Sequence, residues 1–331
     1  MKILFPFFAV IALVLLVFAG VNMAGMYFLF GIVIPYAALV VFLIGVLYRV
    51  MKWGSSPVPF HIPTTCGQQK SLPWIKQNKI ENPSGSLGVI VRMALEVLVF
   101  RSLFRNLKTE LKDGKVVYGL EKWLWMAGLA FHWSFLIILV RHLRFFAENV
   151  PPVIKLIESL DSFLQVGVPL FYITDAVILV AVTYLFVRRV YIPQIKYISL
   201  AADYFPLFLI LGIAVTGVLM RYFFKVHIVG VKVLAMGLIN FKPDPKILNE
   251  IGVLFYIHLF LISILFAYFP FSKLMHLGGV FLSPTRNLAN NSREVRHINP
   301  WNYPVHVHTY EEYENDFRDK MKKAGLPVEK E

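Results

Sequence analysis

Cysteine and charged residues are both scarce in this chain of 331 residues. Cys66 is the only cysteine, so the chain alone cannot form an internal disulfide, a zinc ribbon or an iron–sulfur cluster. Charged residues make up 16% of the sequence, where about 25% is usual, and 57% of the residues are apolar. This balance excludes a disordered chain, a coiled coil and an ordinary soluble enzyme. It leaves an integral membrane protein, provided that the apolar residues form runs long enough to span a bilayer.

Six apolar segments reach or approach the roughly 20 residues that a helix needs to cross a membrane. They are Ile3–Ala19, Met26–Met51, Trp123–Phe146, Val168–Val187, Tyr204–Phe224 and Ile251–His276. Pro35 and Pro270 fall inside two of these segments, where a membrane helix tolerates proline as a kink. We therefore predict an all-α integral membrane helical bundle with six transmembrane helices over residues 1–283. A polar tail over residues 284–331 follows it.

The segment of residues 52–122, between the second and third spans, is predicted to be a long inner loop. Within it, Leu87–Phe104 is apolar but interrupted by charges, which favours an amphipathic helix at the membrane surface. An Asp113-Gly114 pair stands between two short alternating runs and predicts a β-hairpin over Thr109–Tyr118.

The net charge of +13, from 33 basic and 20 acidic residues, gives an orientation. The loop of residues 52–122 carries 11 basic residues, whereas the loop between the third and fourth spans is balanced. This asymmetry predicts a multi-pass protein of the cytoplasmic membrane with both termini in the cytoplasm and with contacts to anionic lipids. No basic cluster is interleaved with aromatic residues, so no nucleic-acid partner is expected.

Four of the nine histidines lie in or at the ends of predicted spans. His132 and His142 belong to the third span, and His258 and His276 to the sixth. An ionisable residue inside a span is costly and points to function. Neutral imidazole is an axial ligand of haem iron, and one histidine from each of two facing helices completes a six-coordinate haem.

The spacing of these histidines predicts how they pair. Ten residues between His132 and His142 correspond to about 15 Å of helix, and eighteen between His258 and His276 to about 27 Å in a straight helix. Because the third span leaves the inner face and the sixth returns to it, the predicted iron ligand pairs are His132/His276 near the inner face and His142/His258 near the outer face. This pattern predicts two haems b. A proton-relay transporter and a non-catalytic membrane anchor of a redox complex remain as alternatives.

The settings of these histidines resemble a known family: Phe131-His132-Trp133, Arg141-His142-Leu143-Arg144, His258 and Met275-His276-Leu277. They are similar to the respiratory nitrate reductase gamma subunit family over about residues 26–280. The additional N-terminal span and the long inner loop look more like the DsrM/HmeC type of membrane cytochrome b subunit, from sulfite-reduction-associated and heterodisulfide-reductase-like complexes.

The resemblance implies a function for the two predicted haems. The chain would be an oxidoreductase subunit, active only within a complex, that oxidises menaquinol at the outer haem. It would deliver the electrons to a cytoplasmic iron–sulfur subunit, with further membrane or extracytoplasmic redox subunits possible as partners.

Charged residues near the outer haem are the next candidates. Arg141 and Arg144 suit haem propionates, since arginine pairs with carboxylates through two hydrogen bonds, although arginines at a helix end also reach lipid headgroups. Glu148 and Lys155 lie in the adjoining outer loop and are candidates for quinol proton transfer. Asp175, inside the fourth span, is expected to make a structural hydrogen bond within the bundle.

The polar tail carries two further patterns. His306 and His308 look like a metal-binding pair, but no third ligand is evident from the sequence. An apolar stripe at helical spacing follows, made of Tyr310, Tyr313, Phe317 and Met321. It predicts a helix that docks on a cytoplasmic partner or lies on the membrane surface.

Overall fold

The computed structural model describes residues 1–56, 67–163, 170–283, 285–292, 304 and 306–330, and Cys66 lies outside these ranges. The described chain is mostly helical, with one antiparallel hairpin. Its helices are α1 (Leu4–Asn22), α2 (Ile34–Gly54), α3 (Ser86–Val99), α4 (Arg101–Phe104), α5 (Lys122–His142), α6 (Pro152–Asp161), α7 (Ile173–Tyr191), α8 (Pro193–Ile198), α9 (Ala201–Val218), α10 (Ile228–Ile239), α11 (Val253–Tyr268), α12 (His276–Phe281) and α13 (Tyr310–Lys323). Its strands are β1 (Leu107–Lys112) and β2 (Lys115–Leu120).

Five helical segments of the described chain are long and apolar enough to cross a membrane. They are Leu4–Asn22, Leu29–Gly54, Lys122–Phe146, Ala201–Phe223 and Val253–Phe271. They correspond to five of the six predicted spans. The fourth predicted span is α7, which has 19 residues but contains Asp175, Arg188 and Arg189; the predicted start at Val168 lies outside the described residues. The count of six spans stays a prediction.

The outer surface of the bundle is apolar, as a lipid-facing surface must be. On α2, for example, Leu43, Ile44 and Leu47 are 57%, 63% and 62% exposed. Water-soluble monomers rarely expose contiguous apolar patches larger than a few hundred Å². The exposed apolar faces of the long helices therefore indicate a multi-pass membrane protein.

The bundle is a chain of neighbouring helices in which α5 packs on α7, α7 on α9, and α11 on α9, α2 and α1. Its fully buried core side chains include Val17, Val21, Leu209, Leu234, Tyr256 and Leu261. Gly45 lets α2 approach the end of α11 closely, because a Cβ there would lie 2.7 Å from the Pro270 Cβ. This packing fixes the positions of α5 and α11, which carry three of the four span histidines.

The sixth predicted span is not one continuous helix. α11 ends at Tyr268, two short 3-10 turns follow over Phe269–Phe271 and Lys273–Met275, and α12 begins at His276. Pro270 has no N–H for the helical ladder, and its ring clashes with the preceding turn. The value of about 27 Å between His258 and His276 applies to a straight helix only, and the helix is interrupted at the proline where the sequence predicts a kink.

The hairpin and the amphipathic helix predicted outside the spans are both confirmed. The structure also contains one helix that was not predicted. β1 and β2 pair through a turn in which Asp113 and Gly114 have φ of +49° and +75°, as a type I′ hairpin requires. The amphipathic segment forms α3 and α4, separated at Phe100, which has a left-handed φ of +51°. α10, a short apolar helix, lies between the last two predicted spans and was not predicted.

Candidate functional site

The four span histidines meet in two pairs across the bundle. The ring centres of His132 and His276 are 5.9 Å apart, with an interplanar angle of 83°. Those of His142 and His258 are 6.4 Å apart, with an angle of 19°. The structure thus brings together the same partners that the sequence predicts.

The Nδ1 atom of each of these imidazoles has a hydrogen-bond partner. His132 Nδ1 lies 2.8 Å from the Gly128 carbonyl oxygen and His142 Nδ1 lies 2.7 Å from the Ile138 carbonyl oxygen, one helical turn back in each case. His276 Nδ1 lies 2.9 Å from the carbonyl oxygen of Lys273.

His258 differs from the other three because its Nδ1 faces a side chain, the Thr216 hydroxyl, at 2.8 Å. The same hydroxyl lies 2.8 Å from the Gly212 carbonyl oxygen, so it can accept from the imidazole and donate to the carbonyl. In all four histidines the Nδ1–H donates, which leaves Nε2 with its lone pair available to a metal. Histidine ligands are usually oriented in this way by a bond from their other ring nitrogen.

The spacing within each pair fits a metal ion between two imidazoles. An imidazole nitrogen lies about 2.0–2.1 Å from a bound transition metal, so two imidazoles on opposite sides of one ion have ring centres about 6 Å apart. The observed values of 5.9 and 6.4 Å agree with this separation. The two pairs therefore suit iron held by two axial imidazoles, as in a six-coordinate haem.

The surroundings of the two pairs differ. His258 is buried and His142 half-buried, whereas His132 and His276 are exposed on the described bundle. Gly217 brings α9 close to His258, because a Cβ there would lie 3.3 Å from the imidazole Cε1. A side chain at this position would press on the ring and tilt it.

α3 docks beside His132 in a way that the sequence did not reveal. The indole N–H groups of Trp125 and Trp133 donate to the carbonyl oxygens of Val99 and Leu98, at 2.7 and 3.0 Å, at the end of α3. The Phe100 ring, which follows them, then meets the His132 imidazole edge to face at 4.9 Å. The left-handed backbone of Phe100 turns its ring to this contact.

Next to His142, a buried ionic network joins α5, α6, α7 and the π-helical turn Leu219–Phe223 that follows α9. Arg141 is 7% exposed, and its guanidinium lies 3.2 Å from Asp161 and 2.6 Å from Asp175. Asp175 also accepts a hydrogen bond of 2.8 Å from the Tyr222 hydroxyl, which confirms the structural hydrogen bond expected of this aspartate. The Arg141 guanidinium lies over the Tyr172 ring, 3.7 Å from its centre.

The two arginines beside the outer histidine therefore already have carboxylate partners. Arg144 pairs with Glu158 at 2.9 Å on α6, and Arg141 with the two aspartates. Their predicted contact with haem propionates stays a prediction. The ion pair between Asp161 and Arg141 was not predicted, because the two residues are 20 positions apart and no periodic pattern joins them.

The two quinol candidates lie at different places. Lys155 is exposed on α6. Glu148 lines an open groove of about 730 Å³. The remaining groove residues are Val229, Lys232, Val233, Met236, Gly237, Asn240 and Lys242. α10 supplies most of this wall and packs on the 3-10 turn Leu143–Phe146, directly after His142.

The groove also contains a cation that sequence reasoning missed. Lys232 donates from Nζ to the backbone carbonyl of Glu148 at 2.9 Å, which ties α10 to the segment after His142. The sequence signal that could have identified Lys232 is its place as a single lysine in the apolar 12-residue segment Ile228–Ile239. The groove thus combines apolar walls with one carboxylate, that of Glu148, and two ammonium groups, those of Lys232 and Lys242.

Comparison with known proteins agrees with the geometry. The family model described as nitrate reductase gamma subunit matches residues 89–297, more than half of the chain. A protein of Archaeoglobus fulgidus named Hdr-like menaquinol oxidoreductase cytochrome b-like subunit is 42% identical over 278 residues, which cover 82% of this chain and 83% of that protein. Its namesake in Archaeoglobus profundus is 41% identical over 273 residues, 81% of each chain. The chain therefore belongs to the nitrate reductase gamma subunit family, with cytochrome b-like subunits of this kind among its relatives.

Proposed function

We propose that this chain is the dihaem cytochrome b subunit of a membrane-bound menaquinol-oxidising complex. It would carry electrons from menaquinol, by way of two bis-histidine haems b, to a cytoplasmic iron–sulfur subunit of the heterodisulfide-reductase-like kind. The observation that carries the proposal is the pairing of four imidazoles, each with Nδ1 occupied and Nε2 available. The printed names of the two archaeal relatives support the menaquinol and cytochrome b parts.

Haem b, when bound, supplies one-electron chemistry at its iron. The chain contributes the orientation and the basicity of the histidine ligands. The Nδ1 bonds hold each imidazole in the tautomer that presents Nε2, and they raise the basicity of the ligand. The carbonyl partners are fixed by the helical backbone of α5, so the orientation of His132 and His142 does not depend on a side chain.

Quinol oxidation also needs a group that accepts protons. We assign the groove beside His142 to the quinol headgroup, with Glu148 as the proton acceptor and Lys155 as the less favoured candidate. Glu148 stands in a groove whose apolar walls suit a prenylated ring. Lys155 is exposed on α6 and is not among the residues that line this groove.

The cytoplasmic partner is expected to dock on the tail. α13 leaves Tyr310 and Tyr313 50% exposed and Phe317 38% exposed, whereas Met321 is buried against the tail itself. A partner surface would remove that apolar area from water, at about 25 cal/mol per Å². This assignment places the tail and both termini in the cytoplasm, on the side favoured by the basic loop of residues 52–122.

The proposal is tested by quinol-driven reduction of the purified chain. A reduced menaquinol analogue should give a b-type absorption change in the wild type. In His142→Ala the same quinol should no longer reduce the haem of the His132/His276 pair. Fast reduction of that haem in His142→Ala would move the quinol site to the other pair.

The Glu148 assignment is tested separately with one variant at each of the two candidate residues. Glu148→Gln should lower the rate of quinol-driven reduction about 10²–10⁴-fold, the usual contribution of a positioned proton acceptor. Lys155→Gln should leave the rate within a factor of two. A reversal of these two results would assign proton transfer to Lys155. As a control, the haem spectra after reduction with dithionite should be the same in both variants as in the wild type.

A further inference from the structure

Three potential metal ligands converge where the chain enters the tail helix. The rings of His306 and His308 meet with their centres 4.8 Å apart. His308 Nδ1 lies 3.7 Å from Glu312 Oε2. One ligand atom from each of the three residues lies within 4.8 Å of the others. Glu312 is the third ligand that the sequence left unidentified.

The start of α13 explains why Glu312 faces the histidines. Thr309 is the N-cap, and its hydroxyl accepts from the Glu312 N–H at 3.2 Å. In return the Glu312 carboxylate accepts from the Thr309 N–H at 3.0 Å. This reciprocal capping box turns the Glu312 side chain back over the helix start. The carboxylate is thus held on the side from which His308 approaches.

The chemistry of the three ligands selects a class of ion. Two imidazoles with one carboxylate suit zinc and neighbouring transition metals, whereas magnesium and calcium prefer oxygen ligands throughout. All three side chains are exposed, so an ion can reach them and keep a fourth position for water. The partial positive charge of a helix N-terminus opposes a cation. The Glu312 carboxylate, in the first turn, offsets that charge, whereas the Glu311 carboxylate beside it already pairs with Lys330.

We propose that His306, His308 and Glu312 bind one divalent transition-metal ion of the zinc class. The ion would fix the segment before α13 to the first turn of the helix. The site is separate from the four histidines of the membrane bundle, and the proposal does not depend on haem binding.

The test is zinc binding to the full-length protein in detergent, by calorimetric titration after treatment with a chelator. The wild type should bind one zinc ion. The zinc affinity of His308→Asn should be roughly tenfold or more lower. Glu312→Gln should show a similar loss, although glutamine keeps the capping box, which separates the ligand role from the helix cap. Haem absorption should be equal in all of these proteins.

His227 provides the matched control. It is an exposed histidine whose Nδ1 lies 3.5 Å from a Glu250 carboxylate oxygen, which makes a two-ligand pair of similar geometry. His227→Asn should bind zinc like the wild type. Equal zinc affinity in wild type, His308→Asn and Glu312→Gln would overturn the proposal. Loss in His308→Asn with full affinity in Glu312→Gln would also overturn it, because the site would then be a histidine pair only.

Discussion

Replacing Thr216 with valine removes the side-chain hydroxyl that orients His258, a candidate haem ligand. Its Oγ1 lies 2.8 Å from His258 Nδ1, in a place where His258 is 7% and Thr216 8% exposed. Valine has nearly the same shape but cannot accept a hydrogen bond. The His258 Nδ1–H therefore loses its side-chain acceptor in a buried place.

The expected magnitude follows from two independent considerations. A buried donor left unsatisfied costs about 1–3 kcal/mol. Loss of an outer hydrogen bond to a metal ligand usually weakens metal binding 10–100-fold, which is about 1.4–2.7 kcal/mol. We therefore expect haem at the His142/His258 pair to bind 10–100-fold more weakly in Thr216→Val. The less basic imidazole should also raise the midpoint potential of that haem, by about 59 mV for each tenfold change in the ratio of ferric to ferrous affinity.

The assay is haem titration of the purified chain together with a redox titration followed by absorption. The haem of the His132/His276 pair is an internal control, because His132 and His276 bond to backbone carbonyls that the substitution does not touch. Thr216→Ser keeps the hydroxyl and should behave like the wild type. Equal loss of both haems, or an unchanged affinity and potential in Thr216→Val, would refute the reasoning.

Three further predictions follow from other contacts. Arg141→Leu leaves the buried carboxylate of Asp161 and the partly buried carboxylate of Asp175 without their cation. It should lower the free energy of unfolding by about 3–5 kcal/mol, measured by denaturation in detergent. Burial raises the pKa of the Glu96 carboxyl, but hydrogen bonds from Ser102 and the ion pair with Arg286 outweigh it and hold the pKa below its usual value. The stabilisation by Glu96 is therefore full above about pH 4.5, near the unfolded pKa, and is lost as the pH falls through the lower folded pKa. Glu96→Gln should remove this acid-dependent part of the thermal stability. A pH profile of thermal stability that is the same in Glu96→Gln and in the wild type would contradict this prediction. Truncation at Pro284 should leave the haem spectrum intact but release the iron–sulfur partner during purification, whereas full retention would move docking to the loop of residues 52–122.

The elements that sequence predicted well are those set by local chemistry. The long apolar runs specify membrane helices because a bilayer demands internal hydrogen bonding and apolar side chains. Asp113-Gly114 specifies its hairpin because these residues accept the positive φ that the turn needs. The spacing of His132, His142 and His258 placed them on two facing helices, and the structure brings the predicted partners together.

The features that sequence reasoning missed depend on contacts between distant residues. Thr216 is 42 residues from His258 and Asp161 is 20 from Arg141, and no periodicity links either pair. The sequence predicts a kink at Pro270, but it does not predict that 3-10 turns replace the last part of this helix before His276. Such turns depend on how the chain packs after the proline, which composition does not reveal.

The central claim is that four histidines bind two haems as the pairs His132/His276 and His142/His258. Its most direct test is the absorption spectrum of the four single alanine variants, purified and reduced with dithionite. We expect His132→Ala and His276→Ala to lose one and the same b-type component, and His142→Ala and His258→Ala to lose the other. Depletion of a common haem by His132→Ala and His258→Ala, or the absence of any b-type band in the wild type, would contradict the account.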